Sequence, residues 1–189
     1  GVGLFLWNQL PDQVPIHFGL NGQADNYAGK AFVVFGLPLL MAALQVLLLV
    51  GTMADPKGKN IADKPFGLLL WICPLVSLFC GTMTYAKALA LPVDINLVGG
   101  LFLGLMFLVV GNYLPKCKQT YTVGIRLPWT LADEDNWAYT HRLAGKVWTI
   151  GGLVILALTF LRLPVLQFFV ILVLVLIPTA ASFLYARRR

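Results

Sequence analysis

Charge is what this sequence has least of. Asp, Glu, Lys and Arg make up 12% of its 189 residues, about half the roughly one-quarter typical of a soluble domain. With 59% hydrophobic residues and a mean hydropathy of +0.81, that shortage excludes a water-soluble globule, a disordered chain and a conventional nucleic-acid binder. Cysteine is scarce too. Cys73, Cys80 and Cys117 form no CxxC pair, and no His lies near them in sequence, which leaves zinc and thioredoxin-type readings weak. The sequence holds no HExxH. Ser77 lies outside any GxSxG context, so metalloprotease and serine-protease readings lack their residues. The net charge of +6, in so apolar a chain, is read as setting membrane orientation.

The few charges cut the chain into spans. Uncharged runs cover 31–54 (24 residues), 65–86 (22), 95–115 (21) and 163–186 (24). Each reaches the roughly 20 residues that a helix needs to cross a bilayer. The run between Lys146 and Arg162 has 15 residues. Leu143 and Ala144 extend it, with Lys146 snorkelling to the interface, which makes a fifth span. The opening GVGLFLWNQL reads as the outer end of a first, truncated helix, six in the native protein. The expected fold is all-α, a polytopic transmembrane bundle. It divides into 1–30 (helix end and outer loop), 31–114 (three-helix membrane segment), 115–146 (motif loop and interfacial helix) and 147–189 (helix pair with basic tail).

Eleven of the 14 Lys and Arg residues fall in alternate loops and at the C-terminus, against three in the others. The positive-inside rule then places 55–64, 116–142 and the C-terminus in the cytoplasm and 10–30 outside. No Asp, Glu, His, Lys or Arg lies deep inside a span, which disfavours a proton-coupled transporter. Gln45 is the most polar central residue and reads as an interhelical hydrogen-bond donor. Gly100, Gly104 and Gly111 are spaced for close helix packing.

Two loops carry the remaining information. Residues 10–30 read LPDQVPIHFGLNGQADNYAGK, with Asn21-Gly22 as a turn signal. His17, Asn21, Gly22 and Asp25 present either a recognition surface or a self-satisfied turn in which Asn21 and Asp25 bond backbone amides. Residues 115–148 begin with an extended stretch in which Gly124 marks a bend or close approach. Thr130 then looks like the N-cap of a helix with Asp133, Glu134 and Asp135 in its first turn. Arg126, between two apolar residues, calls for a carboxylate, with Asp133 or Asp135 as the expected partner. Trp129, Trp137 and Trp148 are expected at headgroup depth. His141 is only loosely spaced from the acidic cluster, so neither a metal nor a cofactor is expected. An interfacial enzyme using Arg126, His141 and Asp133 is one alternative, and a small-solute transporter is another.

The outer stretch, together with GNYLPK and VGIRLPWTLADEDNWAYTHRLAGK within 111–146, resembles the SdpI family of bacterial membrane proteins. Leu127 departs from the pattern, where a small polar residue is expected. The resemblance implies a multi-pass protein of the bacterial cytoplasmic membrane, in contact with lipids, with a cytoplasmic C-terminus. It implies immunity to a secreted toxic peptide met on the outer face, and a signalling role through a cytoplasmic repressor protein, without catalysis or direct nucleic-acid contact. The positions expected to sense the toxin are His17, Asn21, Gly22 and Asp25. Those expected to bind a partner or hold the motif are Asn112, Gly124, Arg126, Pro128, Trp129, Trp137, Thr140, His141 and Arg142.

Overall fold

The computed structural model describes residues 2–188. Five of its helices are long and apolar enough to cross a membrane: Phe32–Met53, Lys64–Ala88, Ile95–Lys116, Glu134–Phe160 and Pro164–Arg187. They match the five expected spans, and the protein is a polytopic helical membrane protein. In chain order the elements are α1 (Val2–Phe5), β1 (Gln13–Phe18), β2 (Ala24–Gly29), a π-helical turn (Phe32–Gly36) running into α2 (Leu37–Met53), α3 (Asp63–Ala88), α4 (Ile95–Tyr113), α5 (Pro128–Ala132), α6 (Glu134–Phe160) and α7 (Pro164–Arg187). They form two compact units, one from residues up to 49 with 68–98, the other from 50–67 with 99 onward.

The first unit adds a β-hairpin to the expected helices. β1 and β2 pair antiparallel from Gln13↔Gly29 to Phe18↔Ala24, with an irregularity between Pro15 and His17 that leaves Ile16 unpaired. Gly22 closes the turn at φ +73°, a conformation glycine adopts without cost. The Asn21 side chain accepts from the Gln23 amide at 3.0 Å, and Asn96, at the start of α4, donates to the Leu20 carbonyl at 3.0 Å. Deeper in this unit Gln45 Nε2 donates to the Leu69 carbonyl on α3 at 3.1 Å, the interhelical role expected of it. Its Oε1 is buried without a partner.

The second unit is held by a seam of small residues between α4 and α6. A Cβ on Gly104 would lie 2.7 Å from Leu156 and 3.1 Å from the Gly152 carbonyl, and one on Gly152 would lie 2.8 Å from the Gly104 carbonyl. The two carbonyl contacts are backbone approaches that no side-chain movement can relieve. Gly100 against Thr159, Gly111 against Thr149 and Gly145 against Pro115 continue the seam. Phe107, Ile155 and Leu174 form the core beside it. Pro178 lacks the amide that would bond Leu174 one turn back, and Trp148 Nε1 on α6 fills the gap at 2.8 Å. Gly104→Val is expected to destabilise the protein by about 1–3 kcal/mol through overpacking. Gly99→Val, on the same helix with nothing within 4 Å, is the control. Thermal unfolding in detergent followed by circular dichroism checks this, and equal midpoints for the two variants would remove the seam argument.

Candidate functional site

The chemistry of the first unit lies at the hairpin tip. His17 Nδ1 and Asp25 Oδ1 are 2.5 Å apart, with side chains 68% and 52% exposed. Asp25 therefore bonds a side chain across the hairpin, and Asn21 bonds a backbone amide. The bulge at Ile16 brings His17 opposite Asn26, one residue from Asp25. Lys30 pairs with Asp12 at 3.0 Å and lies over Trp7, which fixes the base of the hairpin. The tip presents an imidazole, a carboxylate and the amide of Asn21 on a backbone that is held from below by Asn96.

The second unit gathers the inner motif around a buried carboxylate. Asp55 follows α2 and is 9% exposed. Its Oδ1 accepts from the Lys57 amide at 2.8 Å. Its Oδ2 accepts from the Tyr121 amide at 2.8 Å, the Thr122 amide at 3.0 Å and the Thr122 hydroxyl at 2.8 Å. Burial acts to raise this carboxyl's pKa, but the bonds from Lys57, Thr122 and Tyr121 outweigh it and hold the group below its usual range. Gln119 is the second anchor. Its Nε2 donates to the Thr130 and Leu131 carbonyls at 2.9 and 3.0 Å, and its Oε1 accepts from Lys57 Nζ. Lys57 also reaches Glu134 at 3.4 Å, and Asn60 donates to the Gln119 carbonyl at 2.9 Å. The segment 117–127 has no ladder of its own, so side chains satisfy its polar backbone.

The motif residues then lock together. Gly124 has φ +122°, and a Cβ there would meet His141 Nε2 at 2.5 Å and the Trp137 ring at 2.7 Å. That close approach lets the Ile125 amide donate to His141 Nε2 at 2.9 Å. His141 Nδ1 lies 2.8 Å from the Trp137 carbonyl, which accepts only, so Nδ1 carries the proton and the ring is neutral. The imidazole stacks on Trp137 with centroids 4.0 Å apart. Trp137 is 2% exposed and its Nε1 donates to the Cys117 carbonyl at 2.8 Å. It is enclosed by protein, with the Gly124 backbone packed against its ring. Thr130 is not the helix N-cap. Pro128 starts the separate five-residue α5, the Thr130 hydroxyl accepts from the Leu127 amide at 2.9 Å and lies 2.8 Å from the Ile125 carbonyl, and the chain turns extended at Asp133, which caps α6 by accepting from the Asp135 amide.

Arg126 is exposed, and its Nη1 donates to the Tyr121 carbonyl at 2.9 Å. That bond curls the segment back on itself and leaves the guanidinium partly in water. Trp129 Nε1 donates to Ser182 Oγ at 2.9 Å. Asn136 Nδ2 donates to the Ser182 carbonyl at 3.1 Å, and Thr140 donates to Asn136 Oδ1 at 3.0 Å. The structure thus unites Gly124, Trp129, Trp137, Thr140 and His141 in one hydrogen-bonded body. Asn112, Pro128 and Arg142 stay exposed outside it. Asp55, Gln119, Asn136 and Ser182 are members that the sequence did not single out. The only local signal for any of them was the Asp55-Pro56-Lys57-Gly58 turn pattern.

Comparison with known proteins covers both regions. The SdpI/YfhL protein family matches residues 116–186, and a domain of unknown function (DUF1648) matches residues 1–42. The chain is 27% identical to Immunity protein SdpI of Bacillus subtilis (strain 168) over 192 residues, covering 98% of this chain and 89% of that protein. No solved structure matches. The region matched by the family begins at Lys116 and takes in Gly124, Trp137 and His141, so the buried body just described is built largely from residues that are similar to the SdpI/YfhL family.

Proposed function

We propose that the protein is an immunity protein of the bacterial cytoplasmic membrane that protects its cell from a secreted toxic peptide. The observation that carries this reading is the similarity to Immunity protein SdpI across nearly the full length of both chains, hairpin and motif unit alike. Three helices long and apolar enough to span, α2 to α4, lie between the hairpin and residues 117–127 along the chain, and an odd number of crossings supports opposite faces for the two. The basic residues concentrated around the motif put it in the cytoplasm, with the C-terminus, and the hairpin outside. The toxin is met by the hairpin tip, where His17, Asn21 and Asp25 offer donors and acceptors on a rigid turn. The motif face holds a cytoplasmic repressor at the membrane while toxin is present. The stacked and doubly bonded His141 supports a positioning role over a catalytic one, since a general base needs a nitrogen within reach of substrate.

The test is expression in a toxin-sensitive strain. The wild type is expected to raise survival. The double variant His17→Ala/Asp25→Ala is expected to lower the tolerated dose about tenfold, the effect of removing one charge-assisted recognition pair of about 1.4 kcal/mol, at an unchanged level in the membrane. Killing that the wild type does not reduce would overturn immunity. Full protection by the double variant would overturn the role of the hairpin alone.

A further inference from the structure

The surplus positive charge is confined to one unit. By sequence, residues 50–67 and 99–189 carry twelve Lys and Arg against five Asp and Glu, whereas the other unit carries two against three. Within the basic unit the charges are not equivalent. Lys57 is bonded to Gln119 and Glu134, and Arg126 is turned onto Tyr121. Lys116, Arg142 and Lys146 are exposed, and the ion pairs of the described residues, His17–Asp25, Lys30–Asp12 and Lys57–Glu134, include none of them.

Backbone geometry collects these three. Gly145 on α6 packs directly on Pro115, just after α4. Lys116 follows Pro115 and Lys146 follows Gly145, so both side chains leave from one contact. Arg142 precedes Lys146 by four residues on α6 and therefore shares its face. Asp135, the nearest carboxylate before Arg142 along α6, lies about two turns away. Lys116 Nζ sits 4.9 Å above the Tyr113 ring, an aromatic at the very end of α4. The level is that of the lipid headgroups: α4 ends at Tyr113, and α6 turns continuously apolar only after Lys146. Three unpaired cations beside an aromatic ring, at headgroup depth on a membrane protein, match a phosphodiester with acyl chains running along the helices.

We propose that Lys116, Arg142 and Lys146, together with Tyr113, form a binding site for the headgroup of an anionic phospholipid. A zwitterionic headgroup carries its own cation and is not expected to compete. The site does not depend on the immunity reading.

Native mass spectrometry of the detergent-purified full chain, titrated with phosphatidylglycerol or phosphatidylcholine, tests it. The wild type is expected to retain phosphatidylglycerol preferentially, with one adduct outlasting the rest. Each Lys or Arg removed is expected to weaken that adduct about fivefold, so Lys116→Gln/Arg142→Gln/Lys146→Gln loses it. The variant Lys59→Gln/Arg187→Gln/Arg188→Gln removes the same charge elsewhere and is expected to keep it. Equal loss in the two triple variants would show a diffuse charge effect and overturn the site, as would equal retention of the two lipids by the wild type. Circular dichroism on both triple variants separates loss of binding from loss of fold.

Discussion

Gly124→Ala is expected to cost the protein about 3–5 kcal/mol. The backbone at φ +122° is strained for any residue with a Cβ, at about 1–3 kcal/mol. The added methyl would also sit 2.5 Å from His141 Nε2 and 2.7 Å from the Trp137 ring. Neither can retreat, because the two rings are stacked and each is pinned to a carbonyl, Trp137 to Cys117 and His141 to Trp137. Moving the loop away instead breaks the bond from the Ile125 amide to His141, and an unpaired buried donor costs about 1–3 kcal/mol. Gly29→Ala, where nothing lies within 4 Å, should have little effect. Thermal unfolding in detergent, with near-ultraviolet circular dichroism reporting the packed Trp137, compares the two. A Gly124→Ala protein with wild-type midpoint and spectrum would refute the close-packed loop.

The second large effect is expected at Asp55. Asp55→Asn keeps the shape but replaces an anion that accepts four hydrogen bonds with an amide bearing only one acceptor oxygen. Whichever way the amide points, its NH₂ faces donors from Lys57 or from Tyr121 and Thr122. A loss of about 3 kcal/mol follows from one charged interaction lost and at least one donor stranded. The pH dependence has a definite sign. The folded-state pKa is depressed relative to an unfolded value of about 3.9. The contribution of Asp55 is therefore complete above about pH 4 and disappears as pH falls through the folded value. The stability gap between wild type and Asp55→Asn should stay constant from neutral to mildly acid pH and narrow below that window. A gap that widened on acidification would contradict a charged, hydrogen-bonded Asp55.

What could be read from the sequence was whatever depends on one residue or one period. The five spans were legible because scarce charges mark their ends. Gly100, Gly104 and Gly111 were legible as a packing face because lipid gives small residues little else to do there. Gly22 and Gly124 announced their turns. The hairpin strands were hidden by their own irregularity, since the extra residue at Ile16 breaks the alternation that identifies a strand. Asp55 looked like a boundary charge because its partners lie 66 and 67 residues away. Thr130 was misread for a related reason. A Thr followed by Asp three positions later fits a cap, but Pro128 had already started a helix and the chain breaks at Asp133. The burial of Trp137 came from the loop that folds over it, which no helical period encodes.

The anchor between Asn96 and the hairpin grips a main-chain atom, the carbonyl of Leu20, while the Leu20 side chain is 53% exposed. Its architecture is thus indifferent to which amino acid occupies the crest. If the crest is where a hostile peptide is met, substitutions there can follow a changing adversary from one lineage to the next, and the scaffold beneath need not be rebuilt each time.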